Sequence, residues 1–351
     1  MLYTIIKHIL RMYFPLFFNK VHIEGIENVP KDQPVIFAVN HQNTLLDATL
    51  VAHLFKKNTY FLVRSDVFKG RFINWIFKTL YLIPISRGKD GTGNMAGFNK
   101  LTFSKCIEHL QQKKLILIFP EGESKASYQL LKLKKGVARL AFQAEMENDF
   151  ELNLHVIPVT INYQNHFKGN SDVWIKYCDP ILLNQYKNTY VKNPARTINF
   201  LVNEIEKTLS LNVLKFENHE SSKSFFDLVL QQSISSTTEL VIFDGADLNQ
   251  KAASSKTKKK WHSTLFHVAA ISSKIIFFPA ILITVLLDKI IKDIDFKLSV
   301  ISFSLLIFSL LQIFIITAIV VLKANILVSV LVPASLFAAF LLLIKTYFNK
   351  Y

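Results

Sequence analysis

Val35-Ile36-Phe37-Ala38-Val39-Asn40-His41-Gln42-Asn43-Thr44-Leu45-Leu46-Asp47 is the stretch from which the fold of the N-terminal two thirds can be read. Its first five residues are apolar without a break, and Val35, Ile36 and Val39 are β-branched. A strand with one wet face alternates, whereas an unbroken apolar run marks a strand covered on both faces. Polar residues follow, and then the chain turns helical at Thr44. The same sequence grammar recurs at Tyr60–Val63, Leu82–Ile85, Leu115–Phe119, Val156–Ile161 and Val173–Tyr177. Longer mixed segments separate most of these runs: Thr44–Phe55, Arg71–Leu80, Ala96–Gln112 and Leu131–Glu147, with Ala195–Leu211 after the last. Alternating strands and helices predict an α/β domain, a mainly parallel sheet with flanking helices. In such sheets chemistry gathers where strands end and loops begin.

The strand exits are accordingly informative. His41 and Asp47 follow the first run, Ser86-Arg87 follows Leu82–Ile85, and Pro120-Glu121-Gly122-Glu123-Ser124 follows Leu115–Phe119, with Lys132, Lys134 and Lys135 downstream. The fifth run contains Pro158. Histidine titrates near neutrality and can take a proton from an alcohol, while a nearby carboxylate fixes its tautomer and stabilises the imidazolium. Arginine offers a bidentate fork for phosphate and lysines add point charges. No serine or cysteine nucleophile is needed when the attacking hydroxyl belongs to the substrate.

Composition narrows the class. Of 351 residues, 50% are apolar and 19% charged, against about 25% charged in an ordinary soluble domain, so part of the chain belongs with lipid. The 30 phenylalanines exclude a disordered chain, and two cysteines, Cys106 and Cys178, are too few for a disulfide scaffold or a zinc cluster. A net charge of +15 calls for an anionic partner. Ser299–Leu322 and Asn325–Ile344 carry no charge and each has the roughly 20 residues that cross a bilayer. Thr264–Leu287 contains His267, Lys274 and Pro279, which leaves two readings open: re-entrant or in-plane, or a tilted span with Lys274 snorkelling. The lysine block of residues 251–260 has the composition of a solvated linker beside anionic lipid. Met1–Phe18 lacks the core and cleavage site of a signal peptide and predicts an amphipathic helix, lying on a bilayer or, alternatively, a plain surface helix of the catalytic domain. The expected divisions are residues 1–20 (membrane-associating helix), 21–240 (catalytic domain), 241–263 (lysine-rich linker) and 264–351 (two or three membrane helices).

From about Val21 to Cys178 the chain resembles the glycerolipid acyltransferase family, which includes lysophosphatidic acid and glycerol-3-phosphate acyltransferases. Four ordered blocks carry the resemblance: Asn40-His41-Gln42 to Asp47; Ile83-Pro84-Ile85-Ser86-Arg87; Phe119-Pro120-Glu121-Gly122 with Lys134-Lys135-Gly136 downstream; and Val156-Ile157-Pro158-Val159. The resemblance implies His41 as base and Asp47 as its partner. It also implies Arg87, Glu121, Gly122, Lys134 and Lys135 at the acceptor site, and Pro158 near the acyl chain or in a structural role. The expected reaction moves an acyl group from acyl-CoA or acyl carrier protein to 1-acylglycerol-3-phosphate, with no cofactor or metal, on a cytoplasm-facing domain of an integral membrane protein. Glycerol 3-phosphate and lyso-aminolipid acceptors are the alternatives, and a non-catalytic membrane scaffold is the alternative of another class. A lipid hydrolase would need a G-x-S-x-G nucleophile elbow, which the chain lacks. The +15 charge lacks the interleaved basic and aromatic module of a nucleic-acid binder.

Two departures from the family pattern stand out. Five residues separate His41 from Asp47, one more than is usual. Each helical residue turns about 100°, so His41 belongs in the loop before the helix, where the extra residue can keep the pair in reach. After Gly122 stand Glu123 and Ser124, where relatives commonly have a Thr-Arg pair.

Lys289, Lys292 and Lys297 before the apolar pair, and Lys345 and Lys350 after it, put both ends of a membrane hairpin on the cytoplasmic side. Cysteines introduced at positions 292 and 350 are therefore expected to resist labelling from outside sealed cells. Labelling at either position would favour three spans.

Overall fold

The computed structural model describes residues 2–86, 95–216, 221–226, 264–291, 294–323 and 326–348. Arg87, the expected linker of residues 241–263 with its lysine block, and Lys292 and Lys350 lie outside them. The described residues divide into two compact units. The first comprises residues 1–14, 21–162 and 173–215, and the second residues 15–20, 163–172 and 216–351.

The described strands build one eight-stranded sheet: β1 (Val21–Glu24), β2 (Val35–Val39), β3 (Thr59–Arg64), β4 (Leu82–Ile85), β5 (Leu115–Ile118), β6 (His155–Tyr163), β7 (Val173–Tyr177) and β8 (Ile181–Leu182). Their order is β1-β7-β6-β2-β5-β3-β4, with β8 on β6. The recorded pairings are parallel except β6 with β8. The α/β reading of the sequence holds, and all five residues of β2 are buried as their unbroken apolarity requires. Two strands had no sequence signal. β1 is four residues with a His and a Glu, and β8 is two residues long, so neither carries an apolar run.

Side chains alternate across β2, and each face meets its own helices. Ile36 and Ala38 join a core with α4 (Met95–Gln111), α5 (Gly136–Met146) and α7 (Pro194–Asn212), where Leu110, Leu140, Phe142 and Ile205 are fully enclosed. On the other face Phe37 stacks on Phe55, ring centroids 5.1 Å apart, and meets Tyr177 at 5.8 Å. There the Tyr177 hydroxyl donates to the carbonyl of Val51 at 3.2 Å, within α2 (Thr44–Ala52). The remaining helices of this unit are α3 (Arg71–Thr79) and the short α6 (Lys187–Lys192).

Helix α1 (Leu2–Phe17) buries Tyr3, Lys7, Leu10, Tyr13 and Phe14. Lys7 is buried, donating to the carbonyl of Phe55 and, at 3.1 Å, to that of Lys57, and Arg11 Nε donates to the carbonyl of His53 at 2.8 Å. The chain leaving α2 presents orphan carbonyls, and cations satisfy them. The exposed face mixes Leu2, Ile5 and Met12 with the polar Thr4, His8 and Arg11, while the buried face is mainly apolar.

In the second unit, α8 (Thr264–Ile276) and α9 (Phe278–Ile290) meet at a 72° bend. Pro279 opens α9 without an N–H to offer the preceding turn, and Gln312 Nε2 donates to the carbonyl of Ile276 at 2.5 Å. That bend fits a re-entrant or broken element and excludes one straight span. Helices α10 (Ile294–Lys323) and α11 (Ile326–Tyr347) follow, covering both charge-free runs. Among the described residues one helix, Lys297–Val321, is long and apolar enough to cross a membrane. The bent pair passes only if counted as one span, and the apolar stretch Leu331–Tyr347 is shorter.

Replacing Lys7 with Met keeps the length of the side chain but removes both bonds to carbonyls. We expect it to lower the unfolding free energy of the domain by about 1–3 kcal/mol, measured by denaturant melts, with exposed Arg11→Met costing less.

Candidate active site

The parallel arrangement puts the ends of β2, β5 and β3 along one edge of the sheet. β2 continues one step beyond its last ladder residue because Asn40 imitates backbone. Its Nδ2 donates to the carbonyl of Ile161 at 3.0 Å and its Oδ1 accepts the Ile161 N–H at 2.7 Å. A buried polar group must be bonded, so a polar residue extending an all-buried strand was the signal for this role, which the sequence reading did not assign.

His41 then leaves the sheet, and its Nδ1 lies 2.9 Å from Asp47 Oδ2. The same carboxylate oxygen accepts the N–H groups of Gln42 (2.8 Å) and Asn43 (2.7 Å). Asp47 sits in the first turn of α2 and is fully buried, while the His41 side chain keeps 15% of its surface exposed. The longer spacing therefore works as the loop argument requires. His41 sits before the helix, and the loop folds over the carboxylate. The imidazole lies flat on Phe119, centroids 3.7 Å apart and planes 11° apart, a contact the sequence did not reveal. With Nδ1 directed at Asp47, Nε2 is the nitrogen left to accept a proton.

The β5 exit is tied to this loop by side chain and backbone. Glu121 is buried, its Oε1 accepting the His41 N–H at 2.7 Å and its Oε2 the Leu131 N–H at 2.8 Å. Its carboxylate thus grips main chain, where an acceptor-contacting role had been expected. Ser124 Oγ accepts the N–H of Thr44 at 3.0 Å, and the Lys125 N–H donates to the carbonyl of His41 at 3.0 Å. Thr44 has φ +38, a left-handed backbone that a β-branched residue rarely adopts; Ser124 helps hold it. Ser124 thus serves as a backbone clamp. Gly122 adopts φ +74, and a Cβ there would meet Lys134 Nζ at 2.8 Å. Glycine at 122 thus lets the chain turn and lets the Lys134 ammonium lie over the turn, while the Lys134 N–H donates to the carbonyl of Pro120 at 2.8 Å.

His41, Asp47, Glu121, Gly122 and Lys134 therefore converge. Lys135 is exposed at the start of α5. Pro158 is buried within β6 opposite Ala38, and its carbonyl accepts the Cys178 N–H at 2.9 Å. The exit of β4 is pinned by a reciprocal pair between Ser86 and Asn99, both bonds 2.9 Å, immediately before Arg87, which is outside the described residues.

Residues 20–162 match the family model described as Acyltransferase. The chain carries an acyltransferase-family domain. Curated relatives include 1-acyl-sn-glycerol-3-phosphate acyltransferase LPAT1 of Arabidopsis thaliana chloroplasts, 27% identical over 145 residues, which are 41% of this chain and 36% of that one. Glycerol-3-phosphate O-acyltransferase 2 of Saccharomyces cerevisiae is 32% identical over 112 residues, 32% of this chain and 15% of that one. The chain thus spans well under half the length of either relative. The crystal structure of the Thermotoga maritima acyltransferase PlsC aligns with a TM-score of 0.39 and 23% identity, covering 57% of this chain and 79% of that one. The four sequence blocks all begin within the matched acyltransferase segment.

Burial pushes the Glu121 carboxyl up to about 7, aided by the negative charges of Asp47 and Glu123 and opposed by the two N–H bonds. A carboxyl whose folded pKa is raised binds its proton more tightly when folded. Its contribution to stability is therefore lost as pH rises from the unfolded value near 4.5 through about 7. His53 works in the opposite direction, since burial lowers it to about 4 and folding is favoured as pH climbs from 4 towards 6.5. Comparison with Glu121→Gln isolates the first effect. Between pH 5 and pH 8 wild type should lose up to about 3 kcal/mol more than the variant, measured by denaturant unfolding at each pH. Equal changes would mean that Glu121 is already ionised at pH 5.

Proposed function

We propose that this chain is a membrane-bound O-acyltransferase that moves a fatty acyl group from acyl-CoA or acyl carrier protein to 1-acylglycerol-3-phosphate. The observation that carries this reading is the His41–Asp47 pair, 2.9 Å apart at a strand exit, with the imidazole partly open to solvent. In the proposed step Nε2 of His41 takes the proton of the acceptor hydroxyl as its oxygen attacks the thioester carbonyl. The carbon–sulfur bond then breaks, and the proton passes from the imidazolium to the departing thiolate. Asp47 holds the tautomer and stabilises the imidazolium between the two transfers. The substrate supplies the nucleophile, which accords with a site built around a base and no serine elbow.

A phosphorylated acceptor suits the cations. Lys134 lies over the Gly122 turn, and Arg87 follows the pinned end of β4. Names among the relatives include both 1-acylglycerol-3-phosphate and glycerol-3-phosphate enzymes, so glycerol 3-phosphate is the second reading. A lyso-aminolipid is the third. The exposed apolar side chains Ile307, Leu311, Phe314, Ile315 and Ile319 of α10 suit a lipid-embedded anchor. In this reading the domain faces the cytoplasm.

Membranes holding the chain, given labelled acyl-CoA and a panel of lysolipid and glycerol-phosphate acceptors, test the proposal. His41→Ala should reduce turnover about 10²–10⁴-fold with the amount of protein unchanged, and Asp47→Asn should be severely impaired through the wrong tautomer. Arg87→Ala should raise the acceptor KM about tenfold and the donor KM much less. Full activity in His41→Ala would remove the mechanism. An inactive wild type on every acceptor would favour the scaffold.

A further inference from the structure

The segment between β3 and β4 presents a feature that the proposed reaction does not use. Along α3 the side chains of Arg71, Asn74, Trp75 and Lys78 are all exposed. Their spacing of three, four and seven residues places them on one helix face. Trp75 at the centre of that face is 59% exposed, although an indole ordinarily sinks most of its surface. Val67, 38% exposed, and Lys69 extend the face along the segment leading into the helix. From Val67 to Tyr81 the chain has no acidic residue. The nearest carboxylate, Asp66, is engaged by Arg64, whose Nε donates to Oδ1 at 2.8 Å. Among the described residues no carboxylate forms an ion pair with Lys69, Arg71 or Lys78.

The location of this face follows from topology. β3 and β2 both run parallel to β5, one on each side of it. They leave the sheet at the same edge, separated by two strand spacings or about 10 Å. Residues 67–71 therefore start from the edge that bears His41 and Glu121. An indole ringed by cations is the side-chain set of a membrane interface. The ring sits at headgroup depth, and each cation near an anionic surface strengthens contact by about fivefold. One face of a nine-residue helix is far smaller than the roughly 800 Å² per partner that a stable protein interface needs. The net charge of +15 favours the same anionic occupant.

We infer that the Trp75 face of α3, with Lys69, Arg71 and Lys78, docks on an anionic lipid surface and sets the His41 edge of the sheet against it. The inference stands apart from the acyl-transfer reading, because its test needs no turnover. The full chain with Trp174→Phe and Trp261→Phe retains Trp75 as its one tryptophan. It is reconstituted into vesicles of phosphatidylcholine with or without phosphatidylglycerol, the acyl chains brominated. Trp75 emission is expected to be quenched at least about twofold by brominated lipid in the anionic vesicles and to resist aqueous acrylamide there. Lys69→Gln, Arg71→Gln and Lys78→Gln together should return it to the behaviour seen in neutral vesicles. Should the Trp174 replacement impair folding, loss of a lipid-quenched component in Trp75→Phe of the otherwise native chain reads the same contact. Trp75 open to acrylamide and untouched by bromine would overturn the inference. Shielding from both quenchers would also overturn it, because a protein surface would then cover the face.

Discussion

One oxygen organises the candidate site. Asp47 Oδ2 accepts N–H groups from Gln42 and Asn43 and lies 2.9 Å from His41 Nδ1. A buried carboxylate is costly unless its lone pairs are filled, and here the loop bends around the carboxylate to fill them. The bend that satisfies the charge is also the bend that aims the imidazole. Asp47 is thereby both a structural anion and the partner of the imidazole, and neither role can be removed without the other.

A second carboxylate extends the same logic across the sheet. Glu121 holds the main chain of His41 on one side and of Leu131 on the other, while Ser124 and Lys125 bond to Thr44 and His41. Two loops from neighbouring strands are thus fastened by bonds that mostly use backbone. A site held this way is organised before any substrate arrives, and little has to rearrange during reaction. The positive φ of Thr44 is consistent with such over-determination, since strained residues persist where their surroundings leave no alternative.

The parts legible in the sequence were those governed by period and by strand position. β2, β4 and β7 fall at the expected residues; β2 is buried throughout, whereas β4 and β7 are partly buried and are marked by their β-branched and aromatic residues. The pairing of His41 with Asp47 was accessible because only a loop position for the histidine satisfies helix geometry. Contacts made through backbone atoms were not accessible. Nothing in the letters announces that Glu121 will accept two backbone N–H groups, or that Ser124 will accept the N–H of Thr44. The buried lysine of α1 was hidden for a related reason. Lys7 can be buried because the carbonyls of Phe55 and Lys57 accept from its ammonium, a requirement that only the fold reveals. Short strands such as β8, paired antiparallel to β6, depend wholly on tertiary context.

The fastening of the two loops has an evolutionary consequence. On the segment from 121 to 132, the groups turned inward hold the base, while Glu123, Lys125 and Lys132 are exposed. The outward side chains can change charge and size without releasing a bond to His41 or Thr44. Surface charge on this segment can therefore change while the His41–Asp47 geometry stays fixed.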